Sequence, residues 1–477
     1  MHDVIIVGSG AGGASCALTL AQAGLDCLLI EEGPDIQDSS LPISQAESFL
    51  RYWRNGAFTG SHFGSPQLSY AEGKCVGGST TINSGILQGI PAQARKLMAG
   101  DGVGAFEQNF YERAEAELLS LLPVEYDQNR SLSNPTGLLV NVLERMGHDA
   151  VHLPRWTKSC VAENRCSVLC PRNAKPGAKG TFLLPFIRAG GQLACDTRVE
   201  RFKVISGGIQ LSVRDSGGEF KTLQGRRLVI AAGATQTPHL LIRSRSVGKI
   251  LGTHYRLGIH PTLKINGFML SEKPDFLGNR LPLAASSTAY PNYRIGGGIV
   301  NPEIYRYITA TVGGSEYLDS RSFFSYYVMG HSDSHLDMRY WPSFDTQLTR
   351  SSIGPIDRYS IKAGSARFIE AIASFGVSRF MIQTAQGTLS FNDAESASRF
   401  VIDEFNSCLL STVHIFGSME KRYFDTHYGR PFVEGTDGKV VLSDATLLTR
   451  PPGVNTQLGV LVIGRWVATK ILESFKK

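Results

Sequence analysis

Three observations predict an α/β fold for this chain of 477 residues. First, Val4–Val7 is an unbroken apolar run, as a parallel strand buried on both faces requires. Second, it leads through Gly8-Ser9-Gly10-Ala11-Gly12-Gly13 into a small-residue helix, Ala14–Ala23, that ends at Gly24. Third, a later apolar strand, Leu228–Ala232, also stops at a glycine, Gly233, before the helix signal Pro238–Ile242. The two strands are far apart in sequence, so the α/β unit is built from separated pieces. Glycine is in surplus, at 51 of 477 residues against an average of about 7%, and part of that surplus falls at these turns.

The remaining elements follow in chain order. Cys27–Ile30 reads as the second strand and closes on Glu31. Residues 195–223 alternate through Val199, Phe202, Val204, Ile209, Leu211 and Val213 around two Gly-Gly turns, which predicts an antiparallel meander. Residues 261–400 are rich in Ser and aromatics and predict a second, sheet-based unit. Residues 457–475 have helical apolar spacing before Lys476-Lys477. The expected organisation is a discontinuous Rossmann-type domain, 1–262 and 405–477, with a lid and Cys loop inserted at about 100–176. An α+β substrate domain on an antiparallel sheet is expected at 263–404.

Charge and hydropathy exclude other classes. Lys plus Arg (48) exceed Asp plus Glu (42) by six, and no basic block with interleaved aromatics occurs, which argues against a nucleic-acid partner. No run of 18 apolar residues could span a membrane. The N-terminus enters a strand at once, too short an apolar run for a secretory signal, so a cytoplasmic location is expected, or a periplasmic one by co-export with a partner subunit.

Gly8-x-Gly10-x-x-Gly13 lies between a strand and a helix, with Glu31 eighteen residues beyond Gly13. That context predicts a dinucleotide site. Gly8 permits the turn, Gly10 lets a pyrophosphate approach, and Gly13 lets helix and strand pack. Glu31 is placed to accept from ribose hydroxyls, which favours a cofactor without a 2′-phosphate.

Three further segments distinguish FAD from NAD by resemblance. Glu72–Asn83 (EGKCVGGSTTIN) resembles the second signature of the glucose–methanol–choline (GMC) oxidoreductases, G-x-x-x-G-G-S-S-x-I-N. Val229–Pro238 resembles the family strand V-I-L-A-A-G-A-x-x-S-P, and Leu442–Thr446 resembles V-A-D-A-S. The resemblance implies FAD bound by Gly8, Gly10, Ala11, Gly13, Glu31, Gly77, Gly78, Ser79, Asn83, Val199, Ala232, Gly233, Asp444 and Ala445. It also implies a role for Lys179 in structure or toward the phosphates.

Alcohol oxidation needs a hydride acceptor, flavin N5, and a base for the hydroxyl proton. Val413–Ser418 resembles the family segment Y-H-P-x-G-G, and Pro452–Thr456 resembles G-V-N-P, which implies His414 as the catalytic base and Asn455 as its partner. The chain departs from the family at Ile415, Phe416 and Thr456, beside the catalytic atoms, so substrate shape is where it should differ.

Cys160-x5-Cys166-x3-Cys170-Pro171 places three thiols in one polar loop. It is similar to the loop of bacterial FAD-dependent sugar dehydrogenases in this family, which implies a three-iron iron–sulfur cluster. The alternative reading is free thiols, as in several alcohol oxidases of the family. A cluster implies a dehydrogenase of a sugar or other hydroxylated small molecule, passing electrons to a small subunit or cytochrome partner. The other readings are an oxygen-using alcohol oxidase, a flavin-containing lyase on the same scaffold, and a non-enzymatic binding protein. His331-x3-His335 with Asp333 is read as no metal site, and His260 as the end of a connection. Tyr290, Tyr293, Tyr305, Tyr307, Phe323, Phe324, Tyr326, Tyr327 and Trp341 are expected to make the pocket wall aromatic.

Overall fold

A computed structural model of the chain describes residues 1–36, 43–57, 59–128, 130–244, 253–269, 284–286, 293–298, 305–306, 322–417, 423–425, 427 and 430–475. Tyr290, Tyr307, Ser418, Lys476 and Lys477 lie outside them.

The first sheet is the α/β unit. β1 (His2–Val7) leads into α1 (Ala11–Gln22) and returns in β2 (Cys27–Ile30), parallel to β1. β3 (Gln192–Ala194) extends the parallel edge beyond β2. β4 (Arg198–Ile205), β5 (Gly208–Arg214) and β6 (Phe220–Ile230) form the expected antiparallel meander. β6 serves two partners: Phe220–Gly225 pairs antiparallel with β5, and Gly225–Ile230 pairs parallel with β1. The strand Val440–Leu442 adds on the far side of β6, so the C-terminal segment completes a sheet begun at residue 2.

Two glycines show why the turn after β1 tolerates no side chain. Gly8 has φ +100°, and a Cβ there would lie 2.3 Å from the Ala231 carbonyl oxygen. A Cβ on Gly12 would lie 1.8 Å from the Ser443 oxygen. α1 is therefore pressed onto the loop after Val440–Leu442. α2 (Ser79–Ile82) opens from the second glycine-rich segment, and α3 (Gln236–Ser244) follows β6.

The second sheet is centred on β7 (Thr262–Met269), β8 (Tyr293–Gly297) and β9 (Phe323–Gly330), all antiparallel in the order β7-β9-β8. β10 (Val377–Thr384) pairs with β7, and so does β11 (Leu409–Thr412) at Thr262↔Ser411. Strands from outside 263–404 also join: Gln67–Tyr70 beside β11, and Ala150–His152 beside Ala284–Ser286. One face of β9 packs on α4 (Pro355–Ala373), where Tyr326 meets Phe368 edge-on with ring centres 5.7 Å apart. The other face looks toward the first sheet. α5 (Gln457–Phe475) ends the described chain and lies on α1, with Ser15 Oγ donating to the Leu461 carbonyl at 2.8 Å. No helix among the described residues is long and apolar enough to cross a membrane.

Candidate active site

A cavity of about 910 Å³ separates the two sheets, running from Glu31 and Glu32 at one end to His414 and Asn455 at the other. The sequence-predicted residues Gly8, Gly10, Ala11, Glu31, Gly78, Ser79, Asn83, Val199, Ala232, Gly233, Asp444 and Ala445 line it. Gly13 and Gly77 sit behind the wall. A Cβ on Gly13 would lie 2.0 Å from the Gly8 oxygen, and the Gly77 amide donates to Ser9 Oγ at 2.9 Å.

The cavity fits a flavin dinucleotide. Nothing among the described residues stands within 4 Å of where a Gly10 Cβ would be, so the backbone is open to a ligand. Gly10 caps α1 without a side-chain hydrogen bond, which leaves the N–H groups of that twelve-residue helix facing the open space. Glu31 is buried and already accepts from the Ser9 amide (3.0 Å), Ser9 Oγ (2.6 Å) and the Gly33 amide (2.9 Å). Burial raises its pKa. Its neighbour Glu32 is held ionised by Arg54 and Lys74, with a pKa of about 2 despite its desolvation. Asp444 is a structural knot: it accepts from the Gly233 amide, Thr237, the Thr446 amide and the Thr446 hydroxyl, tying the β6–α3 turn to the C-terminal segment.

Asn83 is less free than the motif implied. Its amide donates to Gln457 Oε1 at 2.9 Å, and its carbonyl oxygen accepts from the Gly85 amide. The sequence reading missed Lys175. Its buried ammonium donates to the Thr80, Thr81 and Asn83 carbonyls at 2.9, 2.7 and 2.8 Å, closing the C-terminal end of α2. Burial lowers its pKa to about 8. Lys179 reaches the Ile36 carbonyl and Asp35, a structural role.

At the other end, Asn455 Nδ2 lies 3.2 Å from His414 Nε2. On the opposite side of the ring, His414 Nδ1 lies 3.1 Å from His260 Nδ1. The Ile415–Phe416 departure explains that contact. These residues form a short strand paired with Gly258 and Ile259, which brings His260 and His414 side by side. His260 is therefore part of the site, a role its sequence position did not signal. Burial and the Arg294 charge pull the His414 imidazole down to about 4. Burial, with His414, His331 and Arg294 nearby, holds His260 well below the usual range. His331 joins this cluster, its ring centre 6.5 Å from that of His260, while Asp333 caps α4 by accepting from the Ile356 and Asp357 amides.

Two expectations are corrected. The structure does not bring Cys160, Cys166 and Cys170 together as an iron–sulfur ligand set, and among the described residues no three His, Cys, Asp or Glu side chains form a metal site. The buried Arg155 guanidinium instead donates to Cys166 Sγ, and to Cys160 Sγ at 3.7 Å, so two of the three thiols already have a cationic partner. The aromatic wall is also smaller than expected. Strand alternation turns Phe324 and Tyr326 toward the α4 side, and Phe323 packs on Phe268 and Tyr305. Among the described residues of that set, only Tyr327 lines the cavity, joined by Phe49 and Trp53 from the first hundred residues.

The family model for GMC oxidoreductases matches residues 2–258. An uncharacterized GMC-type oxidoreductase of Sinorhizobium fredii is 31% identical over 99% of this chain and 94% of its own length. A long-chain-alcohol oxidase of Arabidopsis thaliana is 25% identical, over 58% of this chain but 38% of the oxidase. Two solved structures share the fold over the whole chain with a TM-score of 0.72. Pyridoxine 4-oxidase from Mesorbium loti is 16% identical and covered over 100% of its length; Aspergillus oryzae formate oxidase is 14% identical and covered over 98%.

Proposed function

The chain belongs to the GMC oxidoreductase family, and on that premise we propose that it oxidises the CH–OH group of a small alcohol with FAD as cofactor and His414 as base. The observation that supports this best is the His414–Asn455 pair, 3.2 Å apart at the end of a dinucleotide-shaped cavity. Bound FAD supplies the hydride acceptor.

The chain's own residues supply the rest. Asn455 Nδ2 donates toward His414 Nε2, which requires a lone pair there and a proton on Nδ1. His260 Nδ1 is the acceptor for that Nδ1 proton, so His260 supports the tautomer in which His414 can take a hydroxyl proton at Nε2. The Gly453 amide donates to His260 Nε2 at 3.3 Å and favours the opposite tautomer, so the Asn455 contact is what holds the lone pair at His414 Nε2. A substrate hydroxyl that takes the place of the direct Asn455–His414 contact is oriented by the amide and deprotonated by the imidazole.

Anaerobic addition of alcohols to the yellow holoprotein tests the reading. Bleaching of the flavin bands by an alcohol is expected; a lyase turns over without it. Rapid recovery in air identifies an oxidase, and recovery only with a quinone or cytochrome identifies a dehydrogenase.

Two further outcomes follow from the His pair. His260→Phe slows flavin reduction about tenfold with FAD retained, and His260→Gln, which can still accept from Nδ1, restores most of it. The base works only when neutral, so activity is present above its pKa and lost as pH falls through it. With His414 at about 4, flavin reduction should hold its rate from pH 7 down to about 5 and fall below that. An acid limb near 6.5 contradicts the burial argument.

A further inference from the structure

Arg294 is 1% exposed, and its Nε, Nη1 and Nη2 are all buried without a hydrogen-bond partner among the described residues. A guanidinium taken out of water and left unpaired is strongly unfavourable unless a guest supplies the missing acceptors. Its direction follows from register. Thr262 lies opposite Met329, and Met329 lies opposite Arg294, so all three share one face of the second sheet. Thr262 and Met329 line the cavity, as do Lys264 and Tyr327 one step along the same face. Arg294 therefore points to the cavity side of the sheet, without itself being among the residues that line the cavity, and near enough to His414 for its charge to bear on the imidazole. Beside it, Gly297 and Gly298 leave the cavity wall without side chains.

We infer that Arg294 is a substrate-anchoring residue and that the alcohol this enzyme oxidises carries a carboxylate, gripped by the planar guanidinium while its CH–OH group lies at His414 and Asn455. The inference rests on the proposed alcohol oxidation for the reacting end and on Arg294 alone for the anionic end. A planar two-oxygen anion matches the guanidinium fork in a way that a neutral hydroxyl cannot.

The test uses benzoate, which carries the anion but no alcohol, and the neutral isostere benzamide. Each is titrated into oxidised holoprotein while the flavin absorbance is followed. Benzoate should bind at least about 30-fold more tightly than benzamide, and Arg294→Gln should remove that preference while Arg294→Lys keeps part of it. Equal affinity of the wild-type protein for the two probes overturns the inference without any variant. So does a benzoate affinity unmoved in an Arg294→Gln protein that retains FAD, and tighter binding of inorganic phosphate than of benzoate overturns the carboxylate assignment. Because benzoate cannot reduce flavin, its binding is judged separately from the alcohol oxidation. If benzoate binds as expected and no alcohol bleaches the flavin, the anion site stands and the reaction assignment falls.

Discussion

His414→Ala lowers the rate of flavin reduction by about 10³-fold at pH 7, within the usual range for removing a general base, while FAD stays bound. The imidazole bonds Asn455 and His260 at the opposite end of the cavity from Glu31, so its loss leaves the dinucleotide end intact. Stopped-flow reduction of the variant, with its flavin content measured alongside, checks both halves. Unchanged reduction in a flavin-loaded variant removes His414 from the chemistry. Loss of flavin shows that the cluster of His260, His331 and His414 has a structural role instead. Asn455→Ala should fall less, about tenfold, because an amide orients without moving the proton.

Lys175→Met empties the enzyme of FAD. The ammonium closes α2 by bonding three backbone carbonyls at once, and Met reproduces its length but none of its donors. Three carbonyls left unpaired, one buried and two partly buried, cost up to about 3 kcal/mol at about 1 kcal/mol each, concentrated on the loop that carries Gly77, Gly78 and Ser79. FAD affinity should fall at least about tenfold, and the protein should purify largely colourless and melt at a lower temperature. Flavin absorbance per mole of protein reads the first effect and a thermal melt with added FAD reads the second. A yellow variant of unchanged affinity shows that Gln457 and Ser9 hold the loop without Lys175. The charge is also poised. With its pKa lowered to about 8, Lys175 begins to lose its proton as pH rises through 8, so FAD retention should weaken in mildly alkaline buffer.

Much of the cofactor end was legible because its chemistry is local. Gly8, Gly10 and Gly13 act through the backbone of one turn, and a turn's needs are met by residues a few positions apart. The burial of β1 and the end of β6 on both faces reads directly as apolar runs. The pairing of His414 with Asn455 was legible through motif order, although their 3.2 Å approach depends on segments folded far from each other. What escaped was every group whose role is created by a distant strand. His260 gains its partner only because Ile415–Phe416 pairs beside it. Arg294 gains its place only because alternation on β8 turns it to the cavity face. Lys175 acts on carbonyls more than ninety positions away. The thiols failed in the opposite sense: their spacing is compact in sequence, yet Arg155 donates to two of them and no metal site forms among the described residues.

The dinucleotide turn, the family and the candidate base are written in short stretches whose backbone or side-chain chemistry is complete within them. The surroundings of that base and the character of the roof above it come from the folded chain. Those depend on which side chains the sheet register turns inward and which charges burial leaves without water, and neither is a property of neighbouring residues.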